Sequence, residues 1–485
     1  MNNRVVVIGA GLGGLQCAYM LAKNGMDVTV LEQNAVTGGC LQSFRRGDIL
    51  FDTGFHYVGG LREGESLYPL FRYFNLLDLP WLQLDEDCFD EVVLGNRSYA
   101  LASGHERFAE TLTSYFPHEK EGIRRYTDFL RSVGEHIFDA FQPREAEDFY
   151  STSLFARSAY EFLCDTVSDP VLRDVLSGSS LKLELNRDTL PLYIFAQINN
   201  SFIQSAWRLR GGGQQIADHL ATDITRMGGL VRTRASVTRI EDKEGRATGV
   251  WVNNDEFIEA DHIICDIHPK EVMRLLADSP SVRKIYRKRI DSLEETFGMF
   301  TANIHLKANA LPYLNRNIYI HREGTDLWSN DQLLTTNDPR VNSLMVSFYP
   351  DQPALDLLTP VRGSMVADLQ GEAYETFKAR KAEECIRLAE QRLPALREAI
   401  DRVYTSSPLT YQRYTHTAEG SAYGIRKDWR SPLTTVLTPR TPIENVFLTG
   451  QNLNLHGVLG VSMTSVITAA QLIGMDTILE QINGK

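Results

Sequence analysis

The chain has 485 residues, too many for one compact core, so two or three domains are expected. Acidic residues outnumber basic ones, 62 to 50, and the net charge of -12 repels nucleic-acid phosphates and anionic headgroups, which argues against nucleic acid as a partner. Cys17, Cys40, Cys88, Cys164, Cys265 and Cys385 are scattered, with no CxxC and no metal-ligand spacing. That pattern excludes a close redox pair, leaves no metal site to propose, and suits a reducing, cytoplasmic compartment.

Arg4 to Ile8 is a short β-branched run ending at glycine, which predicts a buried parallel strand. The turn Gly9-Ala10-Gly11-Leu12-Gly13-Gly14 fits G-x-G-x-x-G at 9, 11 and 14, a helix to about Lys23 follows, and Asp27 to Leu31 is a second strand. Such a turn binds a dinucleotide. Gly9 permits the bend, Gly11 lets the backbone approach a diphosphate, Gly14 lets helix pack on strand, and the helix N-terminus stabilises the phosphate charge. Glu32, eighteen residues beyond Gly14, is placed to hold a ribose 2′-hydroxyl and disfavours a 2′-phosphate.

A second glycine pair, Gly38-Gly39, follows Glu32 and Gln33 directly, and Phe51-Asp52-Thr53-Gly54-Phe55-His56-Tyr57-Val58-Gly59 forms an apolar-Asp-x-Gly block. Residues 61–205 read as mainly helical and rich in aromatics (Tyr68, Phe71, Tyr73, Phe74, Phe108, Tyr115, Phe116, Tyr126, Phe129), most of them core and a fraction expected along an apolar tunnel. Next come a helix from Gln214 to Met227, a strand from Leu230, a hairpin beginning at Val237, and a buried strand to Cys265. Phe297 to Leu306 and Val341 to Tyr349 read as strands flooring a cavity, and Pro394 interrupts the helix near Ala379 to Leu393. Near the end, Asn445 to Gln451 predicts a strand, Asn452 to Gly460 a glycine-bearing loop, and Val461 to Ile473 a helix. Val5 to Ala22 and Val446 to Met475 are uncharged, but their glycines and polar residues argue against membrane spans.

These blocks resemble the FAD-dependent carotene desaturase, carotenoid isomerase and retinol saturase (phytoene dehydrogenase-like) family, retinol saturase-like members most closely. The resemblance rests on the opening turn, on Phe51 to Gly59, on Ala422-Tyr423-Gly424, and on Thr441 to Gln451. It implies an α/β chain: a Rossmann-type FAD-binding domain of the amine oxidase and GDP-dissociation-inhibitor type, with an inserted mixed α+β substrate domain. Residues 1–60, 206–275 and 436–485 would form the FAD domain, and 61–205 and 276–435 the substrate domain. FAD contacts are expected at Gly9, Gly11, Leu12, Gly13, Gly14, Glu32, Gln33, Gly38, Gly39, Val237, Gly450, Gln451, Gly457, Val458, Gly460 and Val461. Gln451 departs from the acidic residue frequent there.

The implied reaction is hydride transfer at flavin N5 to or from a C=C or C–C bond of a small apolar polyene or isoprenoid. His56, Tyr57, Tyr423 and His456 are the candidate proton-handling residues. No second G-x-G-x-x-G follows a strand, since Gly211-Gly212-Gly213 has the wrong spacing, so a nicotinamide donor, NAD(P)H, would dock only transiently. Two other readings stand beside this one: an amine-oxidase-like enzyme acting on a C–N bond, and a non-enzymatic prenyl-binding protein of the same fold. A cytoplasmic protein with loose peripheral membrane contact is expected, and the sequence sets no oligomeric state.

Overall fold

A computed structural model describes residues 3–137, 150–329 and 340–484. Arg4–Ile8, buried except at its first residue, lies at the centre of a five-stranded parallel sheet. Asp27–Leu31 and then Leu230–Arg232 extend the sheet on one side, and His262–Cys265 and then Val446–Leu448 on the other. A parallel sheet must be covered on both faces, which is why its strands are continuous apolar runs. Helix Leu12–Lys23 covers one face, flanked by Gln214–Arg226 and Gly457–Ile473, and Gln16 Nε2 donates to Ser462 Oγ across 2.8 Å to bind the first and last of these three. The other face packs Val6, Ile8 and Ile263 against an antiparallel sheet of Val237–Lys243, Arg246–Val252 and Glu256–Glu259.

A second, seven-stranded sheet runs in the order Ile400–Ser406, Gly298–Leu306, Ala354–Val361, Ser343–Phe348, Asn317–His321, Asp90–Leu94, Arg97–Leu101. Its neighbours are antiparallel except Asn317–His321 with Asp90–Leu94, where Asn317 stands directly beside Asp90. The described part of 61–205 is mainly helical, as expected, but it also holds strands that the expectation left out. Asp90–Leu94 and Arg97–Leu101 pair as a hairpin around Gly95-Asn96, because Val92, Tyr99 and Leu101 bury against the core with two-residue periodicity. Residues 138–149 of that stretch, and 330–339 of the later one, lie outside the described residues.

The helix after Val446–Leu448 is also longer than expected. It begins at Gly457, not Val461, so Gly457 and Gly460 belong to its first turns and not to a loop. Gly460 is required there because a methyl group would lie 2.6 Å from the Leu455 backbone. Among the described residues, no helix is long and apolar enough to cross a membrane.

Candidate functional site

One cavity of about 890 Å³ runs from the carboxyl ends of the parallel strands to the face of the seven-stranded sheet. Ligands bind at such strand ends in open α/β sheets. Of the residues expected to contact FAD or handle a proton, all line this cavity except Gly14 and Gly460. Those two serve packing: a methyl group on Gly14 would lie 2.2 Å from the Gly9 carbonyl oxygen. None of the nine aromatics named between Tyr68 and Phe129 reaches the cavity; six of them are core, among them Phe71, Phe74 and Tyr126. The apolar wall comes from Phe55, Val58, Ile198, Phe202, Met345 and Leu358. Met299 and Met345 bring the two expected strands to it.

At the strand-end side, two helices present uncapped N-termini. Neither Gly11, ahead of Leu12–Lys23, nor His456, ahead of Gly457–Ile473, supplies a side-chain cap; the Asp266 carboxylate accepts from the Gly11 and Gly14 N–H groups, and the other N–H groups of the two first turns remain for a ligand. Glu32 is held at the wall by the N–H groups of Ala10 (2.9 Å) and Asn34 (2.8 Å), and its oxygens keep lone pairs for hydroxyls. Asp266, which the sequence reading missed, lies under the glycine turn. Methyl groups on Gly11, Gly13 and Gly450 would lie 2.5, 2.6 and 2.4 Å from its carboxylate oxygens. Burial, with the charge of Glu32 adding to it, pushes Asp266 up to about 7. The available signal was its place immediately after the buried strand that pairs with Arg4–Ile8.

Residues 12–473 match the family described as flavin containing amine oxidoreductase. The chain belongs to that family. Its similar curated relatives include the all-trans-retinol 13,14-reductase of Rattus norvegicus, 26% identical over 96% of this chain and 85% of the relative. Another is the chloroplastic prolycopene isomerase 2 of an Oncidium hybrid cultivar, 23% identical over 96% of this chain and 82% of the relative. Among solved structures, an oxidoreductase from Methanosarcina mazei shares the fold, with a TM-score of 0.61 at 18% identity, covering 95% of this chain and 98% of that one.

Membership of the flavin-containing family makes FAD the cofactor, and the residues present fit it. The side-chain-free cradle of Gly11, Gly13 and Gly450, the uncapped helix ends and the anchored Glu32 together accommodate an extended dinucleotide along one wall. Asp52 of the apolar-Asp-x-Gly block works differently. It accepts from Ser43 Oγ (2.6 Å) and from the Gly213 N–H (2.8 Å), so it ties the Gly211–Gly213 turn to the Gly38–Gly54 segment.

The four candidate proton-handling residues all reach the cavity, with different liabilities. Tyr423 donates to the Leu181 carbonyl and His456 Nε2 donates to the Lys182 carbonyl at 3.0 Å, and their rings stack with centroids 4.4 Å apart. Tyr57 donates to Asp90 (2.9 Å) and accepts from Tyr319 (2.6 Å). His56 makes no hydrogen bond within the described protein; its Nδ1 lies 3.9 Å from Asp356. Burial, helped by the positive charge of Arg208, lowers His56 to about 4, whereas burial raises Asp356 to about 7. His456 is likewise lowered to about 4 by burial.

Sequence reasoning also missed Asp90, Lys182, Tyr319 and Asp356. They come from four separate segments: Asp90, Lys182 and Tyr319 gather around Tyr57, whereas Asp356 lies beside His56, and the register of the large sheet and the turn at residues 180–182 set these positions. The one local signal was a charged residue inside an apolar strand, at Asp356.

Proposed function

We propose that this protein is an FAD-dependent oxidoreductase acting on C=C or C–C bonds of an apolar polyene or isoprenoid. The observation that carries the reading is the single cavity that joins a dinucleotide cradle at one end to an apolar chamber at the other. The names of its relatives, a retinol 13,14-reductase and a prolycopene isomerase, support a polyene as substrate. The FAD domain comprises residues 1–60, 206–275 and 436–485, and the substrate domain 61–205 and 276–435.

Bound FAD supplies the hydride chemistry at flavin N5. The chain's own residues bind, orient and exclude water. Gly9, Gly11, Leu12 and Gly13 hold the diphosphate against the helix N-terminus, while Gly14 lets the helix approach. Glu32 and Gln33 hold the adenosine ribose, Gly38 and Gly39 lie beside the cofactor, and Val237 packs on the adenine side. Gly450, Gln451, Gly457, Val458 and Val461 face the flavin end, Gly460 permitting the first helical turn. The N-terminus of Gly457–Ile473 favours negative charge on the reduced ring.

His56 handles the substrate proton, backed by Asp356, since neither of its ring nitrogens makes a hydrogen bond within the described protein, whereas His456 commits Nε2 to the Lys182 carbonyl. Tyr57 serves the polar end of the chamber, and Tyr423 and His456 hold the 180–182 turn in place. Electrons enter from a transiently docked donor such as NAD(P)H. The protein meets its poorly soluble substrate through loose peripheral contact with membranes.

Anaerobic photoreduction of the flavin followed by a panel of polyenes, retinoids and amines tests this. Reoxidation by polyenes or retinoids and not by amines is expected. A colourless protein, or oxidation of amines alone by the oxidised flavin, would overturn the proposal.

A further inference from the structure

Lys182 is a buried cation that the proposed chemistry leaves unused. It lines the cavity with its side chain only 8% exposed, beside apolar Leu181, Ile198 and Phe202. Its ammonium donates to Ser179 Oγ (3.2 Å) and Asp90 Oδ2 (3.4 Å) and lies 4.3 Å from the Phe202 ring centroid. An ammonium carries three N–H bonds, so these two contacts leave one. Its backbone is pinned, because Tyr423 and His456 spend their donors on the carbonyls of Leu181 and Lys182. The cation is therefore placed at the wall by construction.

The hydrogen-bonded network around it is short of negative charge. Asp90 accepts from Lys182, Tyr57 and Asn317 (2.9 Å), and Asn317 Oδ1 in turn accepts from Arg208 Nη2 (2.6 Å). Arg208 is buried, and its remaining partners are the Tyr313 hydroxyl and the carbonyls of Leu314 and Arg316, none of them anionic. Two buried cations thus stand on one hydrogen-bonded chain with a single carboxylate, Asp90, which touches Lys182 directly and Arg208 only through Asn317. A buried charge without a counter-charge is costly, and a ligand that supplies one is favoured accordingly.

We propose that Lys182 fixes the polar end of an otherwise apolar substrate, and that the end group it selects is a carboxylate. The inference rests on the polyene reading above and sharpens it: the substrate class is an isoprenoid or fatty chain ending in an acid. The same charge excess rejects a protonated amine, which would meet a buried ammonium in a low-dielectric chamber.

The test uses the flavin-loaded, oxidised protein and equilibrium binding read by quenching of tryptophan fluorescence. The probes are all-trans-retinoic acid, all-trans-retinol, retinylamine and the hydrocarbon axerophthene, which share one polyene and differ in the end group. The acid is expected to bind at least about tenfold tighter than the hydrocarbon, the gain of a charge-assisted hydrogen bond, and the amine more weakly than either. In Lys182→Met the advantage of the acid falls to within about twofold while the hydrocarbon dissociation constant holds. Because that change strands Asp90, the doubly neutral Lys182→Met/Asp90→Asn variant is measured as well, with the same expected loss. Equal binding of acid and hydrocarbon by the wild type, or a preference surviving in both variants, overturns this inference alone. Failure of every polyene to bind overturns the polyene reading and this inference with it.

Discussion

His56 and Asp356 face one another across 3.9 Å, and burial moves both away from charge: the imidazole down to about 4, the carboxyl up to about 7. Near neutral pH the pair therefore holds one proton on the carboxyl, and loses it as pH rises through about 7. If that proton serves the substrate, the rate at which a polyene reoxidises photoreduced flavin falls above pH 7 in the wild type, and Asp356→Asn removes this limb. His56→Leu should slow the same reaction about a hundredfold, the usual scale of a lost general acid or base. Stopped-flow measurement between pH 5 and pH 9, on the order of one point per half unit, checks both; an unchanged profile in Asp356→Asn would assign the proton elsewhere.

Among the elements, the Gly457–Ile473 helix is the most exposed to test, because its first residue has φ +73°, a left-handed conformation that a side chain disfavours. Gly457→Ala should cost about 1 kcal/mol of stability and tilt the uncapped helix end away from the flavin, raising the FAD dissociation constant several-fold by fluorescence titration. A variant that keeps FAD as tightly as the wild type would show that this helix end does not face the cofactor. On the large sheet, His321 joins helix Pro170–Gly178 to the strands, donating from Nε2 to the Gly178 carbonyl (2.7 Å) while Nδ1 meets Ser343 Oγ (2.8 Å). Burial lowers it from 6.5 to about 4. Between those values the unfolded chain takes up a proton that the folded chain refuses, so its contribution is lost as pH falls from 6.5 towards 4. His321→Asn should be destabilised by about 1–3 kcal/mol at pH 7, with the gap to wild type shrinking towards pH 4 in thermal melts. A constant gap would contradict this.

The opening strand, turn, helix and strand are legible in the sequence because each is a local pattern, complete within Arg4 to Glu32. The strands at Gly298–Leu306 and Ser343–Phe348 are legible for the same reason. The Asp90–Leu101 hairpin is hidden by the helical stretches around it, and the polar cluster is hidden by distance along the chain. Asp90, Lys182, Tyr319 and Asp356 have no shared spacing; Lys182 lines the cavity, and the other three stand behind its wall on Tyr57 and His56. Burial of the named aromatics shows the converse, since a rich aromatic run marked core and not the tunnel.

At the scale of the whole molecule, the two sheets close one cavity between a cofactor cradle and an apolar chamber, and the central claim is that a carbon–carbon double bond is processed there. The most direct measurement is the mass of the product. Photoreduced, flavin-loaded protein incubated anaerobically with a conjugated polyene should return a product heavier by two hydrogens, in proportion to the flavin reoxidised. Polyene recovered at its original mass and double-bond geometry, with the flavin still reduced, would contradict the account.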